Sequence, residues 1–312
     1  MSTKFLGAAA ASIAGSLVLM AMTIALPAAA ATPIDQTKPL AADGTVSIDN
    51  LKGRIVVRTW AQPQVKIAGM LGNGVEKLIV EGDSRNLRIE VKYPNSKGSW
   101  NAWGSGNNSE PSVIEVTMPQ RASLDIDAVS ADVDVQQMAG RSLSIDNVSG
   151  KVEVTSSSPG EATVDNVSGD ILLRITSAKV HVESVSGDIH LQGGLTGDVH
   201  MESVSGKTTL IAPALHRLDL STVSGDADLT AGVIASGTIK VDSVSGEIGL
   251  TLPATTSAQL HVESFSGDIT SPVGKVVTEE YGPGKSLDAK FGTGQGKINL
   301  ESFSGNVRIR SN

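Results

Sequence analysis

The chain has no cysteine. That excludes disulfides, thiolate metal sites and a lipid-bearing cysteine behind a leader, so stability has to come from a packed core. Aromatic residues are scarce, at 3% of 312 residues. A core with so few large rings is narrow and filled by Val, Ile and Leu. Beyond residue 31 no run is apolar enough to cross a bilayer as a helix. Glycine, in contrast, is plentiful at 33 residues, and the formal charge is −8. Many glycines and few rings suit a fold of many tight turns.

The first thirty residues stand apart. Lys4 is the one charge before an apolar run densest at Leu17–Leu26, followed by Pro27 and Ala28–Ala31. This pattern predicts a secretory signal peptide over residues 1–30, cleaved near Ala30 or Ala31, and hence export to the periplasm, the cell envelope or beyond. After its removal no transmembrane span is expected. Residues 31–44 are polar with two prolines and are expected to form a flexible lead-in.

From Ser123 to Gly305 one phrase recurs: alternating apolar residues, an acid, a small polar residue, then Val-Ser-Gly or Phe-Ser-Gly. The clearest copies are SIDNVSGKVEV (144–154), TVDNVSGDILL (163–173), HVESVSGDIHL (181–191) and HVESFSGDIT (261–270). The anchors Val129, Val148, Val167, Val185, Val204, Val223, Val244, Phe265 and Phe303 are spaced 19, 19, 18, 19, 19, 21, 21 and 38 residues apart. A repeat this short cannot bury its own apolar face, so copies must stack. The expected fold is all-β: a single-domain β-solenoid over residues 45–312 with about 18–21 residues per coil. Degenerate coils occupy 45–120 around a loop at 94–111. Regular coils occupy 121–312, with an insertion at 272–285.

Within a coil, Ile145 and Val148 are expected to point inward, Ser149-Gly150 to turn a sharp corner, and Val152 and Val154 to return the chain. Equivalent positions would form an inward ladder of Ile126, Ile145, Val164, Val182, Met201, Leu220, Val241, Val262 and Leu300. SIDNLKGRIVV (47–57) matches the phrase with Leu51 as anchor, 78 residues before Val129, which suggests four intervening coils. Phe265 and Phe303 suggest a wider core near the last corners. Arg308 and Arg310 alternate with Val307 and Ile309, an arrangement expected to protect an open C-terminal edge.

No catalytic, cofactor-binding or metal-ligating set stands out, so the chain reads as non-enzymatic with no cofactor. Acids recur in two outward columns, one from Asp127 to Glu301 and one from Asp170 to Asp268; they read as solvated, turn-forming acids rather than calcium ligands. His181, His200 and His261 share a column with no evident third ligand and read as surface histidines. The corner serines lack a His base and an orienting group. Trp100 and Trp103, in a Gly/Ser/Asn loop, are the candidate partner contacts, with a cap on the first coil as the competing reading. Residues 50–100 carry a net +5 and residues 101–312 a net −12. An acidic chain without aromatic-basic motifs is not expected to bind nucleic acid.

The section DNLKGRIVV, the recurring VSGDI and VSGKV corners, and the final FGTGQGKINLESFSGN together resemble the bacterial adhesin-like family of exported envelope β-solenoid proteins. The resemblance covers about residues 45–310. It implies a single-domain solenoid at the envelope with no established catalytic residues, acting as an adhesin or binding scaffold on an envelope protein or glycan. Two alternatives stay open: a carbohydrate-active β-helix enzyme, and a structural rod self-associating through its ends.

Overall fold

Alternating strands joined by glycine corners pair in parallel with their own copies. The structure, a computed structural model, describes residues 31–94 and 109–312, which form 21 strands. The expected β-solenoid is the observed fold. Trp100 and Trp103 lie outside the described residues, as do residues 1–30.

The N-terminal end comprises β1 (Thr32–Pro39), β2 (Thr45–Trp60), β3 (Gln64–Leu71), β4 (Lys77–Gly82), β5 (Asn86–Lys92) and β6 (Ser112–Pro119). The regular coils run through β7 (Ser123–Gln136), β8 (Ser142–Ser149), β9 (Val152–Ser157), β10 (Glu161–Ser168), β11 (Ile171–Ser186), β12 (Ile189–Ser205), β13 (Thr208–Ser224) and β14 (Ala227–Ser245). The C-terminal end holds β15 (Ile248–Leu252), β16 (Ala258–Ser264), β17 (Ile269–Thr270), β18 (Val277–Thr278), β19 (Lys285–Phe291), β20 (Gly296–Ser302) and β21 (Val307–Ser311).

Each coil contributes one segment to each of two faces. On the first face the ladder runs Ile48, Ile126, Ile145, Val164, Val182, Met201, Leu220 and Val241, each in register with the next. On the second, Val133, Val152, Ile171, Ile189, Thr208, Ala227 and Ile248 align in the same way. The inner side chains of both faces meet in one continuous core, and every member of the expected inward ladder is buried.

Both ends depart from expectation. Residues 32–39 are not a flexible lead-in: β1 pairs antiparallel with β3 over its whole length, burying Ile34. Nor do four coils separate Leu51 from Val129. β2 stacks directly on β7, while the intervening chain builds an outer layer in which β5 and β6 pair with β2, and β4 and β3 pair antiparallel with them. Turning strand direction at the last position ends the stack without leaving an exposed parallel edge.

At the other end the chain threads back. β20 lies between β14 and β16, so that Leu300 faces Val241 on one side and Val262 on the other. β21 likewise lies between β15 and β17. Arg308 therefore does not guard a free edge: it lies between β15 and β17 and is ion-paired with Glu247, whereas Arg310 pairs with Thr251 on one side only and is exposed. The outer position belongs to β19, antiparallel to β16 and built from the end of the 272–285 insertion onward.

Candidate binding channel

Strand alternation decides which residues of the phrase face water. In TVDNVSGD, Val164 points into the core and Asp165 outward; Asn166 then points inward and Val167 outward. The anchor valines are thus not core residues, contrary to expectation. Val164 is 0% exposed, whereas Val167 is 47% exposed. The inward place next to the corner is held by a polar residue instead, because the corner needs hydrogen-bond donors. Asn166 Nδ2 donates to Gly150 O at 3.1 Å and to Gly169 O at 3.0 Å. Asn147 Nδ2 reaches Ala131 O at 3.1 Å. In the last coils Ser264 and Ser302 take this place, and their hydroxyls accept from Gly267 N and Gly305 N at 2.9 Å.

The corner glycines are fixed by space and dihedral together. Gly169 has φ of 122°, and a Cβ there would lie 2.3 Å from Gly150 O. Corner serines act as braces: Ser149 and Ser205 donate to Val129 O and Val185 O at 3.1 Å. The acid after the glycine is also structural. Asp170, Asp188 and Asp226 each accept the backbone N–H of the following coil at 2.8–3.0 Å. That accounts for three members of the second acidic column; Glu247 and Asp268 pair instead with Arg308 and Lys285.

What remains outward on the first face is a pair of parallel ridges. One is apolar, ten residues from Leu51 through the anchor valines to Phe303 and Phe265, each 37–58% exposed. The two phenylalanines do not widen the core; their rings stack in the open, with centroids 5.0 Å apart. The other ridge is the first acidic column, extended by Asp49 at the N-terminal end. Between the ridges runs an open channel of about 1200 Å³, with the Asn/Ser/Thr column beneath it. Glu90 and Val91 line one end, Lys285 and Ser286 the other.

The acidic ridge is unevenly neutralised. Arg88 pairs with Asp49 at 2.9 Å, and Lys240 with Asp242 at 2.5 Å. Near the middle the partners are histidines: His181 Nε2 lies 2.7 Å from Glu183 Oε1, and His200 Nε2 lies 2.9 Å from Glu202 Oε1. Their imidazoles stack face to face at 4.9 Å. Partial burial, reinforced by neighbouring acids, pushes the carboxyls of Asp127 and Asp165 above the usual range. His261 is pushed up, chiefly by its hydrogen bond with Asp288 and also by Glu263.

The apolar ridge was open to discovery in the sequence. Counting in twos from Ile145 puts Val148 outside, as strand geometry demands. The nearness of Asp165 to His181 is less legible, since the two stand in neighbouring columns, one of acids and one of histidines.

No curated protein matches the chain. Among solved structures, a protein named as a "putative adhesin" from Parabacteroides distasonis is 12% identical, with 90% of this chain and 98% of that chain covered and a TM-score of 0.52, a likeness of fold. Another named in the same words, from Bacteroides fragilis, is 16% identical, with 89% and 97% covered and a TM-score of 0.40. The family model described as Toastrack DUF4097 matches residues 46–233 and 217–310, so nearly all of the solenoid is accounted for. The chain belongs to the Toastrack DUF4097 family.

Proposed function

We propose that this chain is a non-enzymatic binding protein of the cell envelope, an adhesin or scaffold that holds an extended, basic and apolar polypeptide segment in the channel. The observation that carries this reading is the unbroken ridge of ten half-exposed apolar side chains. A continuous apolar strip of that length on a water-facing surface favours a partner that covers it. Covering each valine recovers about 1 kcal/mol, half the value of full burial. Ten would supply on the order of 10 kcal/mol before the cost of ordering the partner, enough for binding in the micromolar range.

The flanking acids select the partner's charge. An anionic lipid or an acidic chain would meet like charges along the whole channel, whereas Lys and Arg side chains flanking apolar ones would meet carboxylates. The strip is one apolar side chain wide with a row of acids beside it, which suits the alternating side chains of an extended chain. A glycan is less suited, since aromatic faces occur on the ridge only at Phe265 and Phe303. Export through the segment at residues 1–30 belongs to the same reading.

The test is fluorescence anisotropy with two labelled decapeptides, one alternating Lys and Leu, the other Glu and Leu. The Lys peptide should bind at least tenfold more tightly, and the triple variant Val167→Ser, Val185→Ser, Val204→Ser should abolish binding. Equal affinity for both peptides, or undiminished binding by the triple variant, would overturn the reading.

A further inference from the structure

We propose that Asp165, His181 and Glu183 form a binding site for a divalent transition-metal ion of the zinc type, at the middle of the acidic ridge. The stacking of coils assembles it. Asp165 on β10 is in register with Glu183 on β11, and His181 lies two residues before Glu183 on the same outward face. One ligand atom from each lies within 4.8 Å of the other two. Rotation of the three side chains is the movement that would draw two oxygens and one nitrogen towards the 2.0–2.2 Å distances that zinc takes.

Two independent features favour a cation there. First, Asp165 Oδ1 is buried and has no hydrogen-bond partner, while the same carboxyl is hydrogen-bonded to the Asp146 side chain. An acceptor left in that state is costly unless something donates to it or coordinates it. Second, the carboxylates Asp146, Asp165, Glu183 and Glu202 stand on successive coils. Among the described residues, no Lys or Arg ion pair reaches any of the four, although Arg88 and Lys240 serve the same column elsewhere. At this height the basic partners are only the titratable histidines, and a dication would supply the fixed positive charge that no Lys or Arg brings.

Donor chemistry selects the metal. Imidazole nitrogen with two carboxylates suits zinc or a neighbouring transition metal, while Ca²⁺ and Mg²⁺ prefer all-oxygen sets of six or more. Three protein ligands leave the fourth tetrahedral position to water or to a donor from a bound partner. The next coil repeats the pair as His200 and Glu202, but among the described residues only the first triad closes into a group. The site is independent of what fills the channel.

Isothermal titration of the untagged chain with Zn²⁺ alone tests the assignment. One equivalent should bind, and millimolar Ca²⁺ should not compete. His181→Ala and Asp165→Asn should each weaken binding at least about tenfold, a change of about 1.4 kcal/mol. His216→Ala, which removes a histidine paired only with Asp198, should leave it unchanged. Circular dichroism establishes that each variant is folded. Absence of a stoichiometric site, equal displacement by Ca²⁺, or wild-type affinity in folded His181→Ala would overturn the proposal.

Discussion

Substituting Val164, Asn166 and Val167 of one coil in turn tests the outward placement of the anchor valines. Val164 is fully buried, Asn166 is 3% exposed and Val167 is 47% exposed. Val164→Ser removes about 2 kcal/mol of burial and places a hydroxyl in the core at a further cost of about 2 kcal/mol, so roughly 4 kcal/mol is lost. Asn166→Ala deletes two donated hydrogen bonds of about 1 kcal/mol each. It also removes an Oδ1 that has no partner, which offsets part of the loss and leaves about 1–2 kcal/mol. Val167→Ser should cost about 0.5 kcal/mol or less, as at an ordinary surface position. At roughly 2–4 °C per kcal/mol for a chain near this size, melting should fall by about 8 °C or more, several degrees, and about 2 °C or less, in that order. Melting followed by circular dichroism gives the ranking. Hydrogen exchange over residues 161–186 gives the local effect, which matters because stacked repeats need not unfold in one step. If Val167→Ser destabilised the chain as much as Val164→Ser, the apolar ridge would be core and the channel would not exist.

Two further outcomes are expected. Gly187→Ala should cost about 3 kcal/mol or more, measured by urea melting, because the new Cβ would lie 2.3 Å from Gly169 O at a φ of 135°. Stability should rise as pH falls from 8 towards 5, measured by melting temperature. The raised His261 contributes stability that is complete below 6.5 and is lost as pH rises through its higher folded value. The raised Asp127 and Asp165 oppose folding while ionised, and that opposition lifts as pH falls through their folded values towards 3.8. Asp83 and Asp268 act in the opposite sense, with contributions lost only as pH falls below 3.8 through their lowered values. A His261→Gln variant should lose the change near neutral pH, and a flat profile in the parent chain would refute the assignment.

The repeat, its coil length and its inward ladder were legible because strand alternation and stacking leave few other ways to bury Ile145 and its equivalents. The valine anchors depart from the expected core for a specific reason. An apolar residue beside a corner resembles core in the sequence, although three residues from Ile145 to Val148 is an odd step and crosses the sheet. The ends were illegible in a different sense. Seventy-eight residues between Leu51 and Val129 is near four coil lengths, yet that chain is spent on antiparallel strands flanking β2. Residues 296–302 carry the same phrase as any other coil, and nothing in the phrase says where in the stack a copy belongs. The metal triad escapes for another reason: its ligands stand in two neighbouring columns, His181 in one and Asp165 with Glu183 in the other.

The threading of β20 and β21 into the stack has a consequence for how the chain acquires its structure during synthesis. From β7 to β14 each new coil can settle on the one before it as it emerges, so folding follows translation. Beyond β14 this order fails. β16 has no parallel neighbour until β20 arrives, and β17 none until β21 does. The coils beyond β14 must wait for residues 296–311, which then wedge between segments made earlier. The stack beyond β14 therefore closes only when residues 296–311 are present, and a chain interrupted before them would leave β16 and β17 without their parallel partners.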